Sequence, residues 1–325
     1  MNATKSSRSR SWIIVLGSFA LAFAAGSTLA TAAPSSVPSD VGAPAVRMPA
    51  QELDALRREV ARARAADGRP FAELARLVAL APELNERARA RRAPLALYVA
   101  KLGPNALMPA LEMIALAPPR SVPGASGRAI RRELIEAVGL LRDPRALRVL
   151  SPILDDVAED FETTRTATEA MARIGTEAAA QKILSVLATA PADRARAVIG
   201  GMGECRQLPV IEALAERLRT ATDETTARIA ARSLGRAGNA WVWPTLRDRR
   251  EETRIRETAA RALVDAFVRH EGEARSAASN ALMVVDAPET PALIADARRA
   301  TSSPETARAL DELAARFARN PARTR

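Results

Sequence analysis

The chain is poor in the residues that most often carry chemistry. Its 325 residues include one histidine, one cysteine and one tyrosine. A zinc or redox centre needs several His or Cys ligands, and a histidine-based triad needs its histidine beside a nucleophile, so neither is expected. His270 follows an apolar stripe ending at Phe267 and adjoins Glu271 and Gly272. It reads as a helix-end residue at the negative end of the helix dipole. Cys205 has no second cysteine to pair with in the chain, and a sheltered thiol is expected. Aromatic residues are only 3%, which argues against a core built on large rings and favours thin, closely packed helix pairs. Lysine is nearly absent, with Lys5, Lys101 and Lys182 as three of the 48 basic residues. The rest are arginines, the better readers of carboxylate and phosphate, but they are scattered through every segment. A nucleic-acid footprint should cluster on one face. Gly200, Gly201 and Gly203 lack the preceding strand and the Gly-Lys-Ser/Thr ending of a phosphate loop. The acidic run Asp155, Asp156, Glu159, Asp160 and Glu162 lacks the alternating ligands and central glycine of a calcium loop. No cofactor and no metal are expected.

What is present is apolar periodicity. Hydrophobic residues make up 48% of the chain and charged ones 26%, enough for a substantial core. The stretch from Arg131 to Leu154 shows the unit. Leu134, Ile135, Val138 and Leu141 recur on one helical stripe. Asp143 can then cap a new helix, and Pro144 suits a first turn because it has no N–H to leave unsatisfied. Leu147, Leu150 and Leu154 give that second helix its own stripe, so the two are expected to pack antiparallel. Neither is long enough to be stable alone, which calls for neighbours of the same design.

The N-terminus carries Lys5, Arg8 and Arg10, an apolar run from Trp12 to Gly26, then Ala30-Thr31-Ala32. This is the pattern of a secretory signal over residues 1–32, with no membrane span expected after its removal. Cleavage would take three cations and no acid from the formal charge of +10. Residues 33–48, rich in Pro, Ser and Ala, read as a flexible tether. N-terminal helices are expected over 49–93, a helical-repeat domain over 94–320 and a disordered tail over 321–325. In the first of these, Leu53, Leu56, Val60 and Ala63 trace one helix, and Arg87 to Arg92 form a basic cluster best explained as a solvated face.

Within the repeat domain, turn signals near positions 103, 142, 175, 203 and 238 mark successive pairs of uneven length. Trp241 to Leu246 is expected to be the second helix of the fifth pair. Ile255 to Phe267 and Ala278 to Val285 then look like two first helices in succession. Thr290-Pro291 and Ser303-Pro304 place a hydroxyl cap before a first-turn proline.

The run Ala-Arg-Ser-Leu-Gly-Arg-Ala-Gly-Asn from Ala231 to Asn239, with counterparts around Gly139, Gly175 and Gly203, resembles HEAT repeats of the bacterial phycocyanin-lyase-like kind. The resemblance spans roughly Pro94 to Arg299. It implies an all-α solenoid of stacked antiparallel helix pairs, a HEAT-like superhelix whose second helices line a concave face.

These observations together lead to an exported, non-enzymatic scaffold, periplasmic or extracellular, that binds a protein or peptide. Two other readings stay open: a lyase-like cofactor-attachment factor, which the resemblance implies, and arginine-mediated binding of nucleic acid or another anion. The expected ligand-facing residues lie on or near the second helices: Arg145, Arg148, Lys182, Arg217, Trp243 and Arg247. Trp241 and Trp243 stand two apart, so if one packs inward the other is pushed outward, and Trp243 is expected to be the outward one. That ring among mostly basic side chains predicts an acidic or amphipathic protein ligand, and no nucleic acid.

Overall fold

Every helix of the chain is a local solution to the same problem, an apolar stripe that needs a partner. The computed structural model describes residues 46–87, 95–117 and 124–320. The expected signal, most of the tether, the 88–92 part of the basic cluster and the 321–325 tail lie outside those residues. Among the described residues there are fifteen α-helices and no strand. None of these helices is long and apolar enough to cross a membrane.

Two helices, α1 (Ala50–Ala66) and α2 (Arg69–Arg87), precede the stack. Val46, expected to be part of the tether, is buried, so packed structure begins ahead of α1. The stack then runs as pairs: α3 (Leu95–Lys101) with α4 (Leu107–Ala115), α5 (Gly124–Leu141) with α6 (Leu147–Asp155), and α7 (Phe161–Ile174) with α8 (Glu177–Thr189). It continues with α9 (Ala192–Met202) and α10 (Leu208–Thr220), α11 (Glu224–Ala237) and α12 (Glu252–Arg269), α13 (Gly272–Val285) and α14 (Thr290–Ala300), and ends on α15 (Pro304–Ala318).

The turns behave as their residues demand. The Asp143 carboxylate accepts from the Arg145 N–H at 2.9 Å, and Pro144 opens a single 3-10 turn before α6. Asp160, Thr176, Asp223 and Ser303 each accept from the backbone N–H three residues on, closing the first turns of α7, α8, α11 and α15. Such caps satisfy donors that the helix itself leaves free. Thr290 departs from its expected role. It lies inside the first turn of α14, fully buried, and does not cap it.

First helices pack on first helices and second on second, giving two layers. The first-helix layer is drawn together by small residues. A Cβ added at Gly139 of α5 would meet the Ala170 Cα of α7 at 2.5 Å, and one at Gly201 of α9 would meet the Thr168 Cβ of α7 at 2.4 Å. Only glycine allows backbones so close. The second helices α4, α6 and α8 touch one another lightly, whereas α10, α12 and α14 pack more fully.

These layers settle the register that the sequence left ambiguous. α12, which carries the Ile255 to Phe267 stripe, packs between α10 and α14 and is therefore a second helix; α13 packs on α11 as a first helix. Trp241 to Leu246 is not a helix. Only Trp243–Thr245 makes a 3-10 turn, inside the long connection from α11 to α12. The reason is visible in the chain itself: Pro244 follows Trp243, and Asp248 accepts from the Arg250 N–H at 3.1 Å, so the segment is a chain of turns.

Candidate binding surface

A second helix in such a stack buries one stripe against its first-helix partner and leaves the opposite stripe at the surface. On α10 and α12 those surface stripes face each other. Glu212, Glu216 and Arg219 recur every three or four residues on α10, as do Arg254, Glu257, Arg261 and Asp265 on α12. They wall a cleft of about 380 Å³ whose apolar lining includes Leu208, Ala215 and Ala262. A second cleft lies between α8 and α10, with Leu184, Leu187 and Ala213 inside and Arg217 at its edge. Glu216 borders both.

The charges on these walls are mixed and largely paired. Arg219 holds Glu216 with contacts of 2.7 and 2.5 Å, and this hydrogen bond keeps the carboxyl of Glu216 below its ordinary range. Arg261 reaches Glu257 at 3.2 Å. Four carboxylates stand among three arginines in the larger cleft, so the expected mostly basic lining is not what α10 and α12 present.

The individually expected residues fall in separate places. Lys182 and Arg217 sit on second helices. Lys182 is within 2.5 Å of both Asp155 oxygens, and Arg217 donates to the Leu187 carbonyl at 2.9 Å, at the end of α8. Arg145 is in the turn before α6, forked onto Asp143 at 3.0 and 2.7 Å. That hydrogen bond holds the Asp143 carboxyl below its ordinary range and raises the guanidinium. Arg148 forks onto Glu59 of α1 at 2.7 and 2.5 Å. Arg247 is exposed in the connection before α12.

Trp243 corrects the assignment outright. Its side chain is 1% exposed, and the Arg206 guanidinium lies 5.8 Å from its ring centre. Trp241 is the outward one of the two, at 61% exposure. The alternation holds and its sense is reversed. The two rings are the same size, so ring area does not choose between them; the Arg206 guanidinium from the turn between α9 and α10 stands over Trp243, and Trp241 takes solvent.

The acidic run sends its carboxylates to different partners. Asp155 meets Lys182, Glu159 forks onto Arg131 at 2.6 and 2.9 Å, Asp160 caps α7, and Glu162 reaches Arg165 at 2.7 Å. Among the described residues no group of three or more His, Cys, Asp or Glu is placed to hold a metal. Cys205 is buried at the turn after α9, and burial pushes its thiol up to about 11. His270 is the residue that follows α12, its N–H on the Ala266 carbonyl at 2.9 Å.

The cleft residues of α10 and α12 were missed although a signal for them existed. The polar stripe 254, 257, 261, 265 runs opposite the apolar stripe from Ile255 to Phe267. It marks a groove wall only once α12 is known to be a second helix.

The family described as HEAT repeats matches residues 124–202. No curated protein matches the sequence. Among solved structures, that of human deoxyhypusine hydroxylase in complex with glycerol is similar over 78% of this chain and 98% of that one, with 16% identity and a TM-score of 0.32. A likeness so slight carries no argument about activity. Residues 124–202, from α5 through α9, match HEAT repeats, and the described residues form an all-α, HEAT-like solenoid.

Proposed function

We propose that this protein is an exported, non-catalytic scaffold of the bacterial envelope that holds a protein or peptide segment in the clefts between α8, α10 and α12. One observation carries the reading: a cleft of about 380 Å³ with an apolar floor and walls of both charges, open along a layer of second helices. A peptide offers what that lining can take, namely apolar side chains for the floor and its own polar groups for the walls. Export is supported by the basic, apolar and small-residue order of residues 1–32. The arginines are paired with carboxylates on helix after helix and are not gathered bare on one face, which favours a protein ligand over nucleic acid. Of the acidic or amphipathic ligand expected from the sequence, the mixed walls favour the amphipathic one, with charges of both signs.

The test is a photo-crosslinking amino acid placed at Ala215, in the cleft, and at Arg308, on α15, in the full chain expressed in its native envelope. One and the same envelope protein should be captured from Ala215 and absent from Arg308. Its purified form should bind at least tenfold more weakly after Arg254→Glu and Arg261→Glu together. Equal capture at both positions, or intact Met1 on a cytoplasmic protein, would overturn the reading.

A further inference from the structure

The first helix of the described chain does not belong to the stack it precedes. α1 packs across α4, a second helix, and reaches α6, the next one. Its seventeen residues bury two side chains, Leu56 and Val60, one turn apart on a single stripe. Ala63, on the same stripe, packs part-buried against the core, the Arg64 guanidinium stacks on the Phe71 ring, and the contacts with α4 and α6 include ion pairs of alternating sign. Arg47 lies 3.8 Å from Asp156, Glu59 receives the fork of Arg148, and Arg64 pairs with Glu112. The stack thus offers minus, plus and minus to a segment that carries plus, minus and plus. Met108 of α4 lies against the Arg148 guanidinium at 4.0 Å, one turn before the Glu112 that pairs with Arg64. The site is a wedge where α4 and α6 touch only lightly.

The hold on α1 is light as well. Two buried aliphatic side chains of α1, Val46 just ahead of it and part-exposed ion pairs are a small holding energy for a segment of this length, since such pairs are screened by solvent. Asp67 and Gly68 join α1 to α2, and across that short link the Arg64 guanidinium stacks on the Phe71 ring at 4.1 Å, a contact that α1 gives up when it leaves. Segments held this way open at the low end of the local stability range.

We propose that the surface of α4 and α6 is a second docking site, for an amphipathic helix from a partner protein, and that α1 is its built-in competitor. The incoming helix carries two aliphatic residues one turn apart, an acid for Arg148 and a base for Glu112. It binds when it displaces α1, which sets a threshold on its affinity. The clefts at α10 and α12 play no part in this, so the two proposals stand or fall separately.

The experiment uses the full chain and a fluorescent synthetic peptide of residues 46–66 as the probe. In the unaltered chain α1 blocks the site, and the probe should bind at least tenfold more weakly than to the Leu56→Asp, Val60→Asp variant, in which α1 is released. Arg148→Glu in that released chain should lower probe affinity at least tenfold, and a peptide with Glu59→Arg should restore it. Equal probe binding to released and unaltered chains, or charge reversal without rescue, overturns the proposal. Should the released chain not fold, Glu59→Arg alone in the full chain decides. Amide exchange in α1 should then rise at least tenfold while α5 and α7 keep their protection. Exchange of α1 unchanged, or rising in step with α5 and α7, makes it an integral part of the fold and sinks the idea.

Discussion

The first-helix and second-helix layers are made from the same residue types and do opposite things. Along the first helices, Gly139 and Gly201 let α5, α7 and α9 approach until backbone meets side chain, and ten of the fourteen residues of α7 are buried. Even charge is taken in there: Glu169 is 7% exposed and receives Arg165 at 2.6 Å and Arg236 at 3.1 Å, from α7 and α11. Thr168 turns its hydroxyl back to the Thr164 carbonyl at 2.9 Å, which lets a polar residue sit fully inside. Along the second helices Glu252 at the start of α12 is taken in with Arg256, but the arginines and carboxylates facing each other across α10 and α12 stay at the surface and wall an open cleft. The lesson is that a few glycines at the crossings decide which layer closes up backbone to backbone, whereas α10 and α12, without them, leave an open cleft.

Four substitutions can break or sharpen that contrast. The largest effect is expected at Trp243, on the turn edge of the close-packed side. Trp243→Ala should cost about 4 kcal/mol, read by chemical denaturation, because it empties a fully buried site. A loss near zero would return Trp243 to the surface. Next, Gly201→Ala should cost about 2 kcal/mol, since its Cβ would fall 2.4 Å from the Thr168 Cβ and 2.7 Å from the Arg165 carbonyl oxygen. Unchanged stability would mean that α7 and α9 stand further apart than described. Asp160→Ala, which removes the cap of α7, should lower the denaturation free energy by about 1 kcal/mol. At the far end of the scale, Arg219→Ala on the cleft wall should leave stability within about 0.5 kcal/mol, because an exposed pair contributes little. A thermal scan showing a large drop there would place the second helices in the core and erase the contrast.

Much of this architecture was legible in particular residues. The stripe Leu134, Ile135, Val138 and Leu141, the cap at Asp143 and the restart at Pro144 are all seen where they were read. So is the hydroxyl cap at Ser303. The candidate surface was read far less well. Lys182 and Arg217 do lie on second helices, but Trp243 is interior, and Arg145 and Arg247 are in connections. The carboxylates that pair with the cations come from one turn away for Arg145 and from another helix for Arg148 and Lys182.

The sequence by itself determined most of the helices, caps such as Asp143 and Ser303 and the pairing of α5 with α6, because a stripe repeats every three or four residues and a cap acts within one turn. Those are short-range effects that the local residues settle. Only the tertiary structure decided that α12 is a second helix, that Trp243 rather than Trp241 goes inside, and that α1 lies over α4 and α6. An apolar stripe fits either layer equally well, and each of two neighbouring rings can be buried. Which neighbour covers them depends on contacts made dozens of residues away, such as the pair between Glu59 and Arg148.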